Sequence, residues 1–213
     1  MTNGIPEMID LAFDLEGGTL PADYPFALWS EIVRHAPQLA KEKFAGVLPL
    51  RTAESNEGLL LAKRAKLVLR IPTTLAEYAA ACLPGKQLNL AKQLHVAASI
   101  KQPGEGALLL GEGKLHKIHP FPTIHAQLVT GASDELIFTD CINSKLSEMG
   151  IAGKLICGKR RTLTGDQQTI HGFSLVIHDL KPEASLQLQY AGLGEERHFG
   201  CGVFVPHKVI SGL

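Results

Sequence analysis

Lys66-Leu-Val-Leu-Arg-Ile-Pro-Thr-Thr-Leu-Ala-Glu77 and Ser174-Leu-Val-Ile-His-Asp-Leu-Lys-Pro-Glu-Ala-Ser185 follow one local plan. Each opens with an aliphatic, β-branched run that reads as a strand. Each then turns at a proline and enters a helical stretch. The first helix stops at Pro84-Gly85 and the second at Gly192, because glycine and proline end helices. Thr74 with Glu77 has the spacing of a capping box for the first of these helices.

Working outward, each half of the chain supplies the same further parts. In the first half, Ile9 to Leu15 alternates apolar and acidic residues as a strand does. Pro25 opens a helix that carries Phe26, Trp29 and Val33 to about Pro37. Val47 to Leu50 reads as a short strand, and His95 to Ile100 and Ala107 to Leu110 read as extended. In the second half, Thr123 to Val129 reads as a strand and Glu135 to Met149 as a helix closed by Gly150. Lys154 to Leu163 and Thr169 to His178 form a hairpin around Gly165-Asp166. A helix from Pro182 to Tyr190 and a strand from Gly202 to Val205 follow. The order in each half is β-α-β-β-α-β, with one extra extended piece in the first. The expected fold class is therefore α+β, two tandem ferredoxin-like units with helices on one sheet face. The expected domains are 1–120 and 121–213, joined near His119-Pro120-Phe121-Pro122.

The chain has 213 residues, 45% hydrophobic and 20% charged, enough to bury a real core. No apolar run approaches the ~20 residues of a membrane helix. Residues 1–10 lack a basic flank followed by an apolar core, so no secretory leader is expected. Cys82, Cys141, Cys157 and Cys201 form no C-x-x-C pair. That excludes a zinc ribbon or a secreted disulfide framework, and fits a reducing cytoplasm with the thiols as small apolar residues. The formal net charge is zero. It is nevertheless segregated: residues 1–58 hold 4 Lys/Arg against 9 Asp/Glu, and residues 59–120 hold 9 against 3. Such segregation suits a polyanion partner and also an ordinary solvated surface.

Three features carry candidate chemistry. The first is Gly192-Leu-Gly-Glu-Glu-Arg-His-Phe-Gly-Cys-Gly202. Gly192, Gly194, Gly200 and Gly202 permit a loop whose N–H groups lie against phosphate, with Arg197 and His198 as donors. The other reading is a tight turn entering the last strand. Neither the G-x-x-x-x-G-K-[ST] nor the G-x-G-x-x-G nucleotide motif is met. The second feature is Lys159-Arg160-Arg161. Strand alternation would place Lys159 and Arg161 on one face and Arg160 on the other, for phosphate or as a protected edge. The third is His35 near the end of the first helix, with Tyr24 at its start. His35 suits proton transfer or a helix C-terminus, and Tyr24 could donate to a phosphate. His116-x-x-His119 with His125 lacks further ligands at metal spacing, so no metal site is expected.

The tandem order, the glycine loop and Gly158-Lys-Arg-Arg-Thr-Leu163 together resemble the CRISPR-associated repeat-processing endoribonucleases of the RAMP superfamily. The ending Gly192 to Pro206, and Leu11-Ala-Phe with Gly18-Thr-Leu-Pro-Ala-Asp23, resemble its myxan-type subgroup. The resemblance spans nearly the whole chain. It implies binding of CRISPR repeat RNA, in a hairpin form, and cleavage by the RNA's own 2′-hydroxyl with neither metal nor cofactor. It assigns catalysis to His35 with Tyr24, and RNA contact to the glycine loop and Lys159, Arg160 and Arg161. The subgroup also places histidines where this chain carries Tyr24 and Leu48. The alternative the resemblance leaves is an RNA-binding subunit of a CRISPR effector complex, with weak or no cleavage and other subunits as partners. A ferredoxin-like metabolic domain is the reading without RNA. No membrane partner is expected.

Overall fold

The structure is a computed structural model that describes residues 4–55, 58–90, 106–165 and 168–207. The chain divides into two units. One is Ile9–His116; the other combines Met1–Met8 with Lys117–Leu213.

The first unit is built on β1 (Met8–Gly17), whose Leu11 and Phe13 are wholly buried. A two-residue strand, β2 (Thr19–Leu20), leads to α1 (Tyr24–His35), which carries Pro25 in its first turn and directs Leu28 and Ile32 into the core. The strands β3 (Gly46–Val47), β6 (Lys66–Pro72), β7 (Gln87–Asn89) and β8 (Ala107–Lys117) complete a five-stranded sheet in the order β3-β6-β1-β8-β7. Its first four strands have the 2-3-1-4 order of a ferredoxin-like sheet, and β7 extends the edge. Between β3 and β6 lies a hairpin of β4 (Thr52–Ser55) and β5 (Gly58–Leu61), which joins β2 in a separate three-stranded sheet. The extended piece expected at His95 to Ile100 lies outside the described residues.

The second helix of this unit begins differently from its sequence pattern. A 3₁₀ turn over Thr73–Leu75 feeds α2 (Ala76–Cys82), and neither start carries a side-chain cap. The expected Thr74–Glu77 box is thus not formed, because the tighter turn supplies the helix entry. The sheet also holds a buried charge pair. Arg70, only 1% exposed, makes a bidentate contact with Asp10 at 2.7 and 2.9 Å. A buried guanidinium is tolerated only when its fork is matched in this way.

The second unit contains β9 (Ile124–Thr130), α3 (Glu135–Glu148), β10 (Lys154–Thr164), β11 (Thr169–His178), α4 (Pro182–Ala191) and β12 (Val205–Pro206). The sheet order β10-β11-β9-β12 is again 2-3-1-4. Asp134 caps α3, accepting from the N–H groups of Leu136 and Ile137. Phe138 of α3 packs on Phe173 of β11 with ring centroids 5.0 Å apart. Ile142, Leu146, Leu188 and Phe204 complete this core. The strand expected from Gly202 shortens to Val205–Pro206, because Gly202 is still at φ +64°. At the hairpin tip, Asp166 lies outside the described residues; the N–H of Gly165 donates to the Gln168 carbonyl at 2.9 Å.

Among the described residues no helix is long and apolar enough to cross a membrane. Of the four free thiols, Cys201 is buried, and burial pushes its pKa up to about 12. Cys141, by contrast, is exposed on α3, unlike the apolar role expected for it.

Candidate nucleic-acid interface

The glycine loop turns back on its own unit. Gly192 caps α4 at φ +70°, donating to Leu188 at 2.8 Å. A Cβ at Gly192 would strike Nη1 of Arg197, and one at Gly202 would strike the Leu193 carbonyl. The N–H of Gly202 donates to Leu128 of β9 at 2.7 Å, and the N–H of Leu193 to Gly202 at 3.3 Å. The N–H of Glu195 donates to Oγ1 of Thr130 at 2.7 Å. Phe199, Gly200 and Cys201 spend their N–H groups within the loop, on Glu196 and Arg197. At Gly192 and Gly202 the missing side chain thus permits close packing.

Arg197 is drawn in with them. It sits in a 3₁₀ turn with His198 and Phe199 and is only 5% exposed. A charged residue between glycines reads as an exposed phosphate donor. Here the missing Cβ of Gly192 makes room for the guanidinium inside the loop. His198 is half-buried beside it.

The basic hairpin meets this loop across the sheet. Arg161 pairs with Gly172 of β11, and Gly172 pairs with Thr130 of β9, the residue that holds Glu195. Cross-strand partners project to one side, so Arg161 and Thr130 share a face. Two strand spacings separate them, roughly 10 Å. The side-chain-free Gly172 lies between.

Strict alternation fails just before this point. The register shifts between Cys157 and Arg160, so Gly158 and Lys159 form a bulge opposite Ser174. Arg160 then stands opposite core residue Phe173, and Arg161 falls on the other face. Counting by twos from Lys159 is invalid across a bulge. Lys159, Arg160 and Arg161 are all exposed, and no ion pair among the described residues engages them.

His35 and Tyr24 occupy opposite ends of α1. Eleven residues at 1.5 Å each separate their backbones by about 16 Å. Tyr24 is buried, and its hydroxyl accepts from the N–H of Leu50 at 3.0 Å. Burial raises its pKa, partly opposed by that hydrogen bond. Its observed task is to tie the helix start to the chain after β3.

His35 is half-buried within a polar cluster that sequence reading did not isolate. Nη2 of Arg34 lies 2.9 Å from Nε2 of His35. Arg34 also grips Glu31 side-on, Nε to Oε1 at 2.9 Å and Nη2 to Oε2 at 2.8 Å. Glu31 in turn accepts from the N–H of Asn89 in β7 at 2.9 Å. The hydrogen bonds from Arg34 hold the Glu31 carboxyl below the ordinary carboxylate range. The i,i+3 spacing of Glu31 and Arg34 beside His35 was the available signal. Among the described residues no three His, Cys, Asp or Glu side chains group as a metal site.

Comparison with known proteins places this architecture. Residues 9–209 match the family model described as Cas6 Crispr. The chain is 34% identical, over 200 residues, to the CRISPR-associated endonuclease Cas6 of Myxococcus xanthus (strain DK1622), covering 93% of this chain and 81% of that protein. Among solved structures, a Cas6-related protein from Pyrococcus furiosus superposes with a TM-score of 0.64 at 14% identity, covering 97% of this chain and all of that one. A RAMP protein described as binding different RNA substrates gives 0.62 at 15% identity, covering 92% and 98%. These likenesses carry the fold, and the match over residues 9–209 carries the family: the chain belongs to the Cas6 family.

Proposed function

We propose that the chain is an endoribonuclease that binds the hairpin of CRISPR repeat RNA and cuts the precursor transcript. The observation that carries this reading is its 34% identity, across 93% of its length, to a CRISPR-associated endonuclease. In the proposed reaction a 2′-hydroxyl attacks the adjacent phosphate, the bond to the 5′-oxygen breaks, and a 2′,3′-cyclic phosphate forms. Neither metal nor cofactor enters this scheme. His35 is the residue proposed for proton transfer, a reading supported by its half-buried place at the end of a helix. Lys159, Arg160 and Arg161 are proposed to hold the RNA backbone, supported by their exposure at the hairpin bulge. The buried hydroxyl of Tyr24 supports a structural role rather than a catalytic one. The cell compartment consistent with this substrate is the cytoplasm.

The test is single-turnover cleavage of cognate repeat RNA in EDTA, with and without a 2′-deoxy substitution at the scissile position. Wild type is expected to cut only the unsubstituted RNA, and His35→Ala to bind without cutting. A Lys159→Ala/Arg161→Ala variant is expected to bind more weakly, with a log K against log salt slope shallower by roughly 2. Cutting of the deoxy RNA would overturn the mechanism. RNA bound tightly but left intact by wild type would favour the non-cleaving effector-complex subunit.

A further inference from the structure

We propose that Arg34 is a latch on His35: its guanidinium occupies the lone pair of Nε2 in the free protein, and an RNA phosphate releases that nitrogen by taking the guanidinium. This rests on the reading of His35 as the proton-transfer residue.

A guanidinium carries only donors, so Nε2 of His35 accepts in the 2.9 Å contact with Nη2. The ring is then neutral, with its one proton on Nδ1. In that state it cannot work at either nitrogen. As a base it needs the Nε2 lone pair, which Arg34 fills. As an acid it needs both nitrogens protonated, which the Arg34 donor forbids; giving up the lone Nδ1 proton would leave an imidazolate. Proton transfer by His35 in either direction therefore requires the Arg34 contact to break.

The geometry also says what breaks it. Glu31 occupies the Nε–Nη2 side of the guanidinium through Nε–H and one Nη2–H. The second Nη2–H goes to His35. The open end of the fork is Nη1 with that same second Nη2–H. A phosphate seated there in the bidentate manner claims the hydrogen that His35 holds, while Glu31 keeps its own two bonds. Arg34 is 54% exposed, so the end of the fork is within reach of a polyanion. Glu31, itself tied to the N–H of Asn89, keeps the guanidinium from following the phosphate away.

The experiment is nitrogen NMR of the full-length chain with ¹⁵N-labelled histidine, free and bound to repeat RNA carrying the 2′-deoxy substitution. In the free protein His35 is expected as the Nδ1–H tautomer with an unprotonated, hydrogen-bonded Nε2. Binding of the RNA is expected to shift Nε2 and remove that tautomer bias. Arg34→Ala, an exposed change to the best helix former, is expected to fold and to lose the bias before RNA is added. In this variant there is no Arg34 contact to break, so the RNA-dependent loss of the Nδ1–H bias seen in wild type is expected to be missing. Unchanged His35 signals in wild type at saturating RNA would overturn the latch. So would an Arg34→Ala spectrum matching wild type. Should His35→Ala still cleave while the wild-type shifts appear, the catalytic assignment falls and the release of Nε2 stands.

Discussion

Gly202→Ala tests whether the glycine loop is shaped by packing or by RNA. Gly202 sits at φ +64°, where an alanine costs about 1–2 kcal/mol. Its new Cβ would also strike the Leu193 carbonyl, which is backbone and cannot rotate aside. The loop must shift, which breaks the 3.3 Å bond from Leu193 to Gly202 and strains the 2.7 Å bond from Gly202 to Leu128. Each hydrogen bond contributes about 0.5–1.5 kcal/mol net. The sum is about 2–5 kcal/mol, a large share of the ~5–15 kcal/mol that holds a typical protein folded. For a chain of 213 residues, about 3 kcal/mol corresponds to a fall in Tm of roughly 6–12 °C. Urea unfolding followed by circular dichroism measures the loss. Filter binding at low temperature measures RNA affinity of the folded variant. A variant with an unchanged urea midpoint but much weaker RNA binding would refute the packing argument, because the glycine would then be serving the ligand.

Two other perturbations separate structural from catalytic roles. Tyr24→Phe removes the acceptor for the buried N–H of Leu50, so it is expected to cost about 1–3 kcal/mol in urea unfolding and to leave single-turnover cleavage intact; the reverse outcome would return Tyr24 to the reaction. His125 lies edge-on to His207 at 5.2 Å, and its buried Nδ1 has no hydrogen-bond partner among the described residues. Burial first, and His207 second, lower its pKa below the ordinary 6.5. As pH falls through 6.5 the unfolded chain therefore takes up this proton before the folded one, and stability falls with it. His125→Gln is expected to flatten the acid side of a plot of urea midpoint against pH, and an unaltered plot would contradict the assignment.

How much was legible depends on which forces set each feature. The second unit reads almost directly, since its long strands and helices repeat at periods of 2 and 3.6 and end at glycine. The β4–β5 hairpin was missed because Thr52–Ser55 is mostly exposed and shows no apolar alternation. The two-residue β2 is set by its partner's edge rather than by its own composition, whereas the short strand expected at Val47 to Leu50 is met only at its first residue, in β3. At the site, burial is what local sequence does not show. Tyr24 and Arg197 look like phosphate donors because local sequence shows their polar ends, whereas tertiary contact decides whether water reaches them. Leu50 claims the first from 26 residues away, and Gly192 admits the second. The bulge at Gly158–Lys159 likewise belongs to a pair of strands, so no single strand announces it. One constraint needs no structure. A helix rises 1.5 Å per residue, so residues 24 and 35 at its two ends stand about 16 Å apart wherever that helix packs. The partner that α1 gives His35 is its neighbour Arg34, itself held by Glu31.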